Sequence, residues 1–257
     1  SSTTAAGCAR WACLRAHAVE VDGLRRQSNE RRQASGAARR VGLCSGLGVA
    51  VMAYATRTGT KRNRRALMAA GWGFFLTPAA KWLGDWAGPY AIDNGAWSAH
   101  TQGVEWQPEP FEALVSNHAA GADFIVAPDI VAGGAQSLAR SVEWLPKLLA
   151  VTQRVLIPVQ DGMTCADVAP YLSPRVGLFV GGSTDWKLRN LRSLCEFARI
   201  HGAWAHVGRV NSVKRIGACL SAGATSFDGT AASRYVKELP RLDAARRQVT
   251  MFRGLDV

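Results

Sequence analysis

The feature of this sequence that most constrains its fold is a regular alternation of short apolar runs with segments of helical pattern. Eight apolar runs follow one another, and most end in Gly, Pro or Asp: Val49–Tyr54, Gly73–Leu76, Tyr90–Ile92, Asp123–Ala127, Val155–Val159, Gly177–Val180, Ala203–Val207 and Thr225–Phe227. The helical segments between them are Lys61–Ala70, Pro110–Ala120, Ala135–Leu149, Cys165–Leu172, Trp186–His201 and Val213–Ala222. Such alternation is typical of βαβ units with a parallel sheet. The sequence therefore predicts an α/β fold, a single (β/α)₈ TIM barrel, although seven strands and a hairpin give a similar pattern.

The first 45 residues do not follow this alternation, and they are rich in Arg and Ala. Residues 1–65 contain 13 Lys and Arg against 3 Asp and Glu, whereas residues 66–257 contain 18 against 16. The net charge of +12 is therefore concentrated near the start. We expect a disordered basic extension over 1–45 and a barrel domain over 46–257. The extension is either a solvated arm or an arm that contacts phosphate groups.

Cysteine spacing and hydropathy give no sign of a metal site or of a membrane span. The six cysteines include no C-x-x-C pair, so neither a zinc site nor a disulfide framework is indicated, and a reducing cytoplasm is the expected location. The longest apolar run near residue 50, Val41–Ala55, is interrupted by Gly and Ser and is too short for a confident membrane span.

Polar residues follow the predicted strands at the points where the functional groups of a barrel collect. The segments at these strand ends are Asp93-Asn94-Gly95, Pro128-Asp129, Gln160-Asp161-Gly162, Gly181-Gly182-Ser183, His206-Val207-Gly208-Arg209 and Phe227-Asp228-Gly229-Thr230. Carboxylates, an amide and a glycine pair are therefore expected to face one mouth of the barrel.

This ordered set resembles the tRNA-guanine transglycosylase family, including its DNA-modifying branch that inserts 7-deazaguanines. The resemblance runs from about residue 59 to residue 243, and the segments that carry it are AIDNGAW, APDIV, PVQDG, FVGGS and SFDGT. In the first segment, Asn94 and Gly95 replace the Ser and the first Gly of the family motif. The resemblance implies that Asp228 is the nucleophile and that Asp93 is the general acid and base.

Base exchange at a sugar C1′ atom gives these two carboxyl groups independent reasons to be present. A carboxylate below the sugar captures the oxocarbenium-like centre covalently, which is the role expected of Asp228. A second carboxyl group exchanges a proton with the departing and arriving bases, which is the role expected of Asp93. Both residues also occur in sequences that favour turns, and a purely structural role for each stays open.

Guanine has hydrogen-bond donors on one edge and acceptors on the other, and the resemblance implies residues for both. Asp129 would accept from the donors, while Gln160 and the N–H groups of Gly181 and Gly182 would donate to the acceptors. The glycines would also let a flat ring lie against the backbone. Alternatively, Asp129 caps the following helix and the glycine pair cradles a phosphate group.

Five further residues are weaker candidates. Lys187 lies near the position where the tRNA enzymes have a glutamate, so it is expected to alter which substituted base is accepted. Arg209 and Arg234 would bind backbone phosphate groups or the acidic mouth, unless they are solvated surface residues. His206 is either a core histidine or a participant in the site, and Trp97 either packs in a loop or stacks on the base.

The resemblance implies a base-exchange enzyme that needs no cofactor and acts on a nucleic acid, with a 7-deazaguanine base such as preQ0 as the second substrate. The tRNA enzymes have a zinc subdomain with three cysteines and a histidine, whereas no cysteine or histidine follows Asp228 here. This difference favours DNA over tRNA, and it leaves a place for a partner subunit or a homodimer. The alternatives are a small-molecule barrel enzyme, such as a glycosidase or a phosphate-binding lyase, and a non-catalytic nucleic-acid-binding protein.

Overall fold

The computed structural model describes residues 51–56, 60–79 and 86–248, and the predicted extension over residues 1–45 lies outside them. Eight strands form the barrel: β1 Met52–Thr56, β2 Gly73–Leu76, β3 Tyr90–Ile92, β4 Ile125–Val126, β5 Val155–Val159, β6 Val176–Val180, β7 Ala205–Val207 and β8 Ser226–Gly229. Each strand pairs in parallel with the next, and β8 pairs with β1 to close the barrel. This closure confirms the predicted (β/α)₈ TIM barrel.

Nine α-helices lie within the described residues: α1 Lys61–Ala69, α2 Ala96–Gln102, α3 Pro108–His118, α4 Ala135–Leu149, α5 Cys165–Val168, α6 Thr184–Ile200, α7 Val213–Ala222, α8 Ala231–Arg234 and α9 Leu239–Arg246. Short 3₁₀ turns cover Ala119–Gly121, Ala169–Tyr171 and Val236–Glu238. Hydroxyl side chains cap three of the helices: Thr60 at α1, Ser183 at α6 and Ser212 at α7. No helix in the described part of the chain combines the length and the apolar character that crossing a membrane requires.

The strands differ from the prediction mainly at their ends, and the difference matters most in β8. The predicted strand ended at Phe227, but Asp228 pairs with Tyr54 and Gly229 pairs with Ala55. Asp228 is therefore part of the sheet and does not belong to a turn that follows it. An apolar pattern does not reveal this, because backbone pairing continues where side-chain hydropathy changes.

Aromatic rings fill the barrel interior. Tyr54, Phe75 and Phe124 belong to the buried cluster, and Phe179 and Trp204 pack against it. Below this layer, the Tyr54 hydroxyl donates to the Asp123 carboxylate at 2.8 Å, on the side where strands begin. The interior is therefore a packed core and not a pore, as is usual for this fold.

Helix α9 is joined to the segment before β2 by side-chain hydrogen bonds. The indole N–H of Trp72 donates to Asp243 Oδ1 at 2.9 Å, and Arg246 Nε donates to the same oxygen at 2.7 Å. These bonds hold the last helix against the entry to β2, and they stabilise the closed barrel next to the β8–β1 seam.

Candidate active site

All eight strands are parallel, so the predicted strand-end residues lie at the same mouth of the barrel. The predicted site residues at this mouth are Asp93, Asp129, Gln160, Gly181, Gly182, Arg209 and Asp228. Lys187 lies in the first turns of α6, and Arg234 is the last residue of α8. The mouth therefore contains carboxyl groups from three different strands within one opening.

Asp228 lies low in the mouth and is surrounded by hydrogen-bond donors. Its side chain is 10% exposed. His206 Nε2 lies 3.1 Å from Oδ1, and the backbone N–H of Arg209 lies 3.3 Å from both carboxylate oxygens. Asp228 therefore lies among hydrogen-bond donors and remains partly open to the mouth.

Asp93 lies in a contrasting environment. The pKa of its carboxyl group is raised to about 7. Burial is the main cause, and the negative charges of Asp228 and Asp129 contribute in the same direction. Its Oδ2 atom also accepts from the Gly95 N–H at 3.2 Å, so the alternative Asx turn is present together with the proximity to Asp228. A carboxyl group that titrates near neutral pH can both give and take a proton.

Asp129 is joined to Asp93 through the residue next to it in the chain, Asn94. The Asn94 amide donates to Asp129 Oδ1 at 2.8 Å and to the carbonyl oxygen of Ala127 at 2.7 Å. Burial raises the pKa of Asp129 to about 6. The helix-cap alternative does not describe this residue, because α4 begins only at Ala135 with Gly134 as its N-cap.

Gln160 is buried, and its carboxamide group is occupied by the loop that follows β4. Its Oε1 atom accepts from the Ala132 N–H at 2.7 Å, and its Nε2 atom donates to the Ile130 carbonyl oxygen at 2.8 Å. Ala132 has a positive φ of 58°. In this arrangement Gln160 holds the loop beside Asp129, and its direct contact with a base stays a prediction.

The two glycines occupy different backbone environments. The N–H of Gly181 donates to the Val159 carbonyl oxygen at 2.8 Å, so it is engaged in the sheet and not directed at the mouth. Gly182 has a φ of 71°. The following N–H, that of Ser183, donates to Asp161 Oδ2 at 2.6 Å. A carboxylate therefore already fills the position that a phosphate cradle would offer to a ligand.

Lys187 is buried beneath the mouth. Its ammonium group donates to the carbonyl oxygen of Gly208. Burial and the positive charge of Arg209 lower the pKa of Lys187 to about 8, while the charge of Asp228 acts in the opposite direction. Lys187 therefore holds the β7 loop whose next N–H reaches Asp228.

Arg209 crosses the mouth. Its guanidinium group lies 4.2 Å from the centroid of the Trp97 ring, and it donates to the carbonyl oxygen of Gly182. Trp97 is 48% exposed, so the contact is a cation–π pair at the rim. Arg209 thus covers the ring face on which a base would stack.

Arg234 lies apart from the carboxyl groups. It is exposed on α8, and it lines an open groove of about 530 Å³ with Asn211, Tyr235 and Lys237. The structure therefore places Arg234 at the rim beyond β8 and not among the catalytic candidates.

Two contributors to the site were not identified from the sequence as site residues. Asn94, which replaces the Ser of the family motif, follows Asp93 in the chain and donates to Asp129. Ser226 lies two residues before Asp228 in β8, and its Oγ atom lies 2.8 Å from His206 Nδ1. The alternation of side chains along β8 could have placed Ser226 and Asp228 on the same face, but not their shared partner.

No family model matches the sequence, and no curated protein matches it at a significant level. Among the described residues, no group of three or more His, Cys, Asp or Glu side chains is arranged to hold a metal ion. The described cysteines Cys165, Cys195 and Cys219 are free thiols. An assignment of function therefore depends on the geometry of the mouth and on the motif resemblance.

Proposed function

We propose that this protein is a guanine transglycosylase that replaces guanine in a polynucleotide with a 7-deazaguanine base such as preQ0, through a covalent aspartyl intermediate. The observation that carries the proposal is the pair of unlike carboxyl groups in one mouth. Asp93 has a pKa raised to about 7, whereas Asp228 is surrounded by N–H donors. Carboxyl groups with environments that differ in this way take separate acid and nucleophile roles in glycosyl transfer.

In the first step, a carboxylate oxygen of Asp228 forms a bond to C1′ of the target nucleotide. The bond between C1′ and the guanine nitrogen breaks, and its electron pair goes to the base, which takes the proton of Asp93. In the second step, the Asp93 carboxylate takes a proton from the incoming base. The nitrogen of that base attacks C1′, and the bond to Asp228 breaks with its electron pair returning to the carboxylate. No atom or charge is left over.

Asp129 and its support suit recognition of the base. Asn94 occupies Oδ1 of Asp129, so we assign Oδ2 to the donor edge of guanine. Gln160 holds the adjoining loop, and Trp97 offers a ring face once Arg209 moves aside. Because these groups lie inside the mouth of a closed barrel, the target nucleotide would have to leave its stack to reach them.

The test is incorporation of labelled guanine into separate samples of DNA and tRNA by the full chain. DNA is the first substrate to examine. We expect label in one polymer with the unchanged protein and none above background with Asp228→Asn or Asp93→Asn. Asp185→Asn is the matched control, because Asp185 is an exposed carboxylate in the first turn of α6, and it should retain full activity.

Three outcomes would contradict the proposal. Undiminished incorporation by Asp228→Asn would remove the nucleophile from the scheme. Exchange on a free nucleoside alone would identify a small-molecule enzyme. Binding of polymer without any exchange, unchanged in Asp228→Asn, would identify a nucleic-acid-binding protein.

A further inference from the structure

His206 lies at the centre of the barrel and is completely buried. Its ring centroid is 5.0 Å from that of Phe124, 5.1 Å from that of Phe179 and 5.5 Å from that of Phe75. This apolar cage makes a charged imidazole costly. Burial accordingly lowers the pKa of His206, against the opposing effect of Asp228. The imidazole is therefore neutral at neutral pH.

The polar partners of His206 determine which ring nitrogen carries the proton. Nδ1 lies 2.8 Å from Ser226 Oγ, and Nε2 lies 3.1 Å from Asp228 Oδ1. The indole N–H of Trp204, which can only donate, donates to the same Ser226 oxygen at 2.6 Å. The carboxylate oxygen at Nε2 accepts, so we place the imidazole proton on Nε2, and Nδ1 then accepts from the Ser226 hydroxyl.

We infer that His206 is a positioning residue for base exchange: its Nε2–H holds Oδ1 of Asp228 and so presents Oδ2 as the oxygen that attacks C1′. The inference rests on the proposed function and names the atom through which the site acts. Trp204 and Ser226 form the rest of the chain of hydrogen bonds, which runs from the barrel interior to the reacting carboxylate.

This role differs from that of a catalytic acid or base. A neutral imidazole that already donates to Asp228 keeps its proton through both steps, and only the oxygen that it holds changes charge. The hydrogen bond weakens when Oδ2 is bonded to C1′ and strengthens again when the carboxylate is released. His206 therefore favours departure of the sugar from Asp228 as well as the correct geometry of attack.

Two variants separate positioning from packing. His206→Phe keeps an aromatic ring in the cage but removes both nitrogens, whereas His206→Gln places an amide N–H near the position of Nε2. If His206 positions Asp228, single-turnover exchange in His206→Phe should fall about 100-fold, as for loss of one preorganised donor. His206→Gln should then recover to within about tenfold of the unchanged protein.

A packing role predicts the reverse order, because the phenylalanine ring fills the aromatic cage better than glutamine does. Exchange by His206→Phe at the wild-type rate, or faster than by His206→Gln, would overturn the inference. In both cases the unchanged protein must exchange bases. If it does not, the proposed function fails and this comparison is replaced by a measurement that needs no activity.

That measurement is the ¹⁵N NMR spectrum of the imidazoles in the full chain, which has five histidines. The signal of His206 is assigned by its disappearance in either variant. We expect a neutral ring with the proton on Nε2 between pH 6.5 and 8. A proton on Nδ1, or a charged ring at pH 7, would overturn the inference whether or not the protein exchanges bases.

Discussion

At the scale of single residues, Asp93 and Asp228 share a chemical type but not an environment. Asp93 is desolvated and lies near the carboxyl groups of Asp228 and Asp129, so it keeps its proton up to about pH 7. Asp228 accepts hydrogen bonds from the His206 side chain and from the backbone N–H of Arg209. The different roles that we propose for the two residues therefore depend on their neighbours, which lie on β7, in the loop after β7 and in the loop after β3.

The titration of Asp93 predicts the pH dependence of the first half of the exchange. In the proposed reaction, Asp93 must hold a proton before the polynucleotide binds, so that it can give this proton to the leaving guanine. We expect kcat/KM for the polynucleotide to fall about tenfold per pH unit above about pH 7. A flat wild-type profile from pH 6 to 9 would show that Asp93 is not the acid.

The raised pKa of Asp93 also predicts that this residue lowers the stability of the fold at high pH. The pKa of Asp93 is about 7 in the folded protein against 3.8 as its ordinary value. Its protonated form therefore stabilises the fold fully only at low pH, and that contribution is lost as the pH rises through about 7. Asn has no charge to lose, so Asp93→Asn should melt higher than the unchanged protein at pH 8, with a smaller difference at pH 5.

One pKa unit corresponds to about 1.4 kcal/mol, and 1 kcal/mol moves the Tm of a domain of this size by about 2–4 °C. A gain of about 3 °C or more at pH 8 is expected, measured by differential scanning calorimetry. A variant that melts lower than the unchanged protein at pH 8 would contradict the raised pKa.

At the scale of elements, a substitution of Gln160 distinguishes support of the loop after β4 from direct contact with the base. Gln160→Ala would remove the part-buried hydrogen bonds with the Ala132 N–H and the Ile130 carbonyl oxygen, at a cost of about 1–3 kcal/mol for the two together. We expect the Tm to fall by about 3 °C or more, with a raised KM for the incoming base. Gln160→Glu is the isosteric control, since it keeps the acceptor for Ala132 but not the donor for Ile130. A raised KM with an unchanged Tm would favour direct contact with the base.

The glycine pair after β6 offers a second test at this scale. A Cβ atom at Gly182 would lie 2.5 Å from Asp161 Oδ2 on a backbone with φ +71°, so Gly182→Ala should lower the Tm by several degrees. At Gly181 the nearest atom would be the Val159 carbonyl oxygen at 3.4 Å, and the fold should tolerate Ala. Gly181→Ala should nevertheless raise the KM for the base. An unchanged KM would show that the base does not lie against Gly181.

The sequence predicted the elements far better than the contacts between them. Strands β2, β3 and β5 and helices α4 and α7 have the predicted bounds, because their apolar patterns are uninterrupted and flanked by turn residues. Helix α2 was not predicted, since its sequence AWSAHTQ has no apolar stripe and its N-cap is Gly95, which has a φ of 80°. Helices α8 and α9 were likewise not predicted, and α9 is held by Asp243 and its distant partner Trp72.

The candidate site shows the same limit. Strand order and strand ends were enough to bring Asp93, Asp129 and Asp228 to one mouth, because a parallel barrel has a single such end. The partners of Gln160 and His206 depend on where side chains point across neighbouring strands, and no local pattern contains that information. Sequence motifs thus indicate which residues meet, and the structure shows which of their atoms are already occupied.

At the scale of the whole molecule, closure of the barrel brings the two candidate carboxyl groups to the same mouth. Asp93 follows β3 and Asp228 lies in β8, so the two residues are far apart in the chain, and they approach each other only because β8 pairs with β1. The aromatic interior closes the other end. In the proposed reaction, a sugar at this mouth would meet both carboxyl groups, with the base directed toward Asp129.

The most direct test of this account is a search for the covalent intermediate. The full chain is mixed with an oligonucleotide and a base analogue that stalls the second step, separated on a denaturing gel and digested for mass spectrometry. We predict a shifted band with the sugar bonded to Asp228, retained in Asp185→Asn and lost in Asp228→Asn. A band that survives in Asp228→Asn, or a sugar bonded to Asp93, would contradict the account.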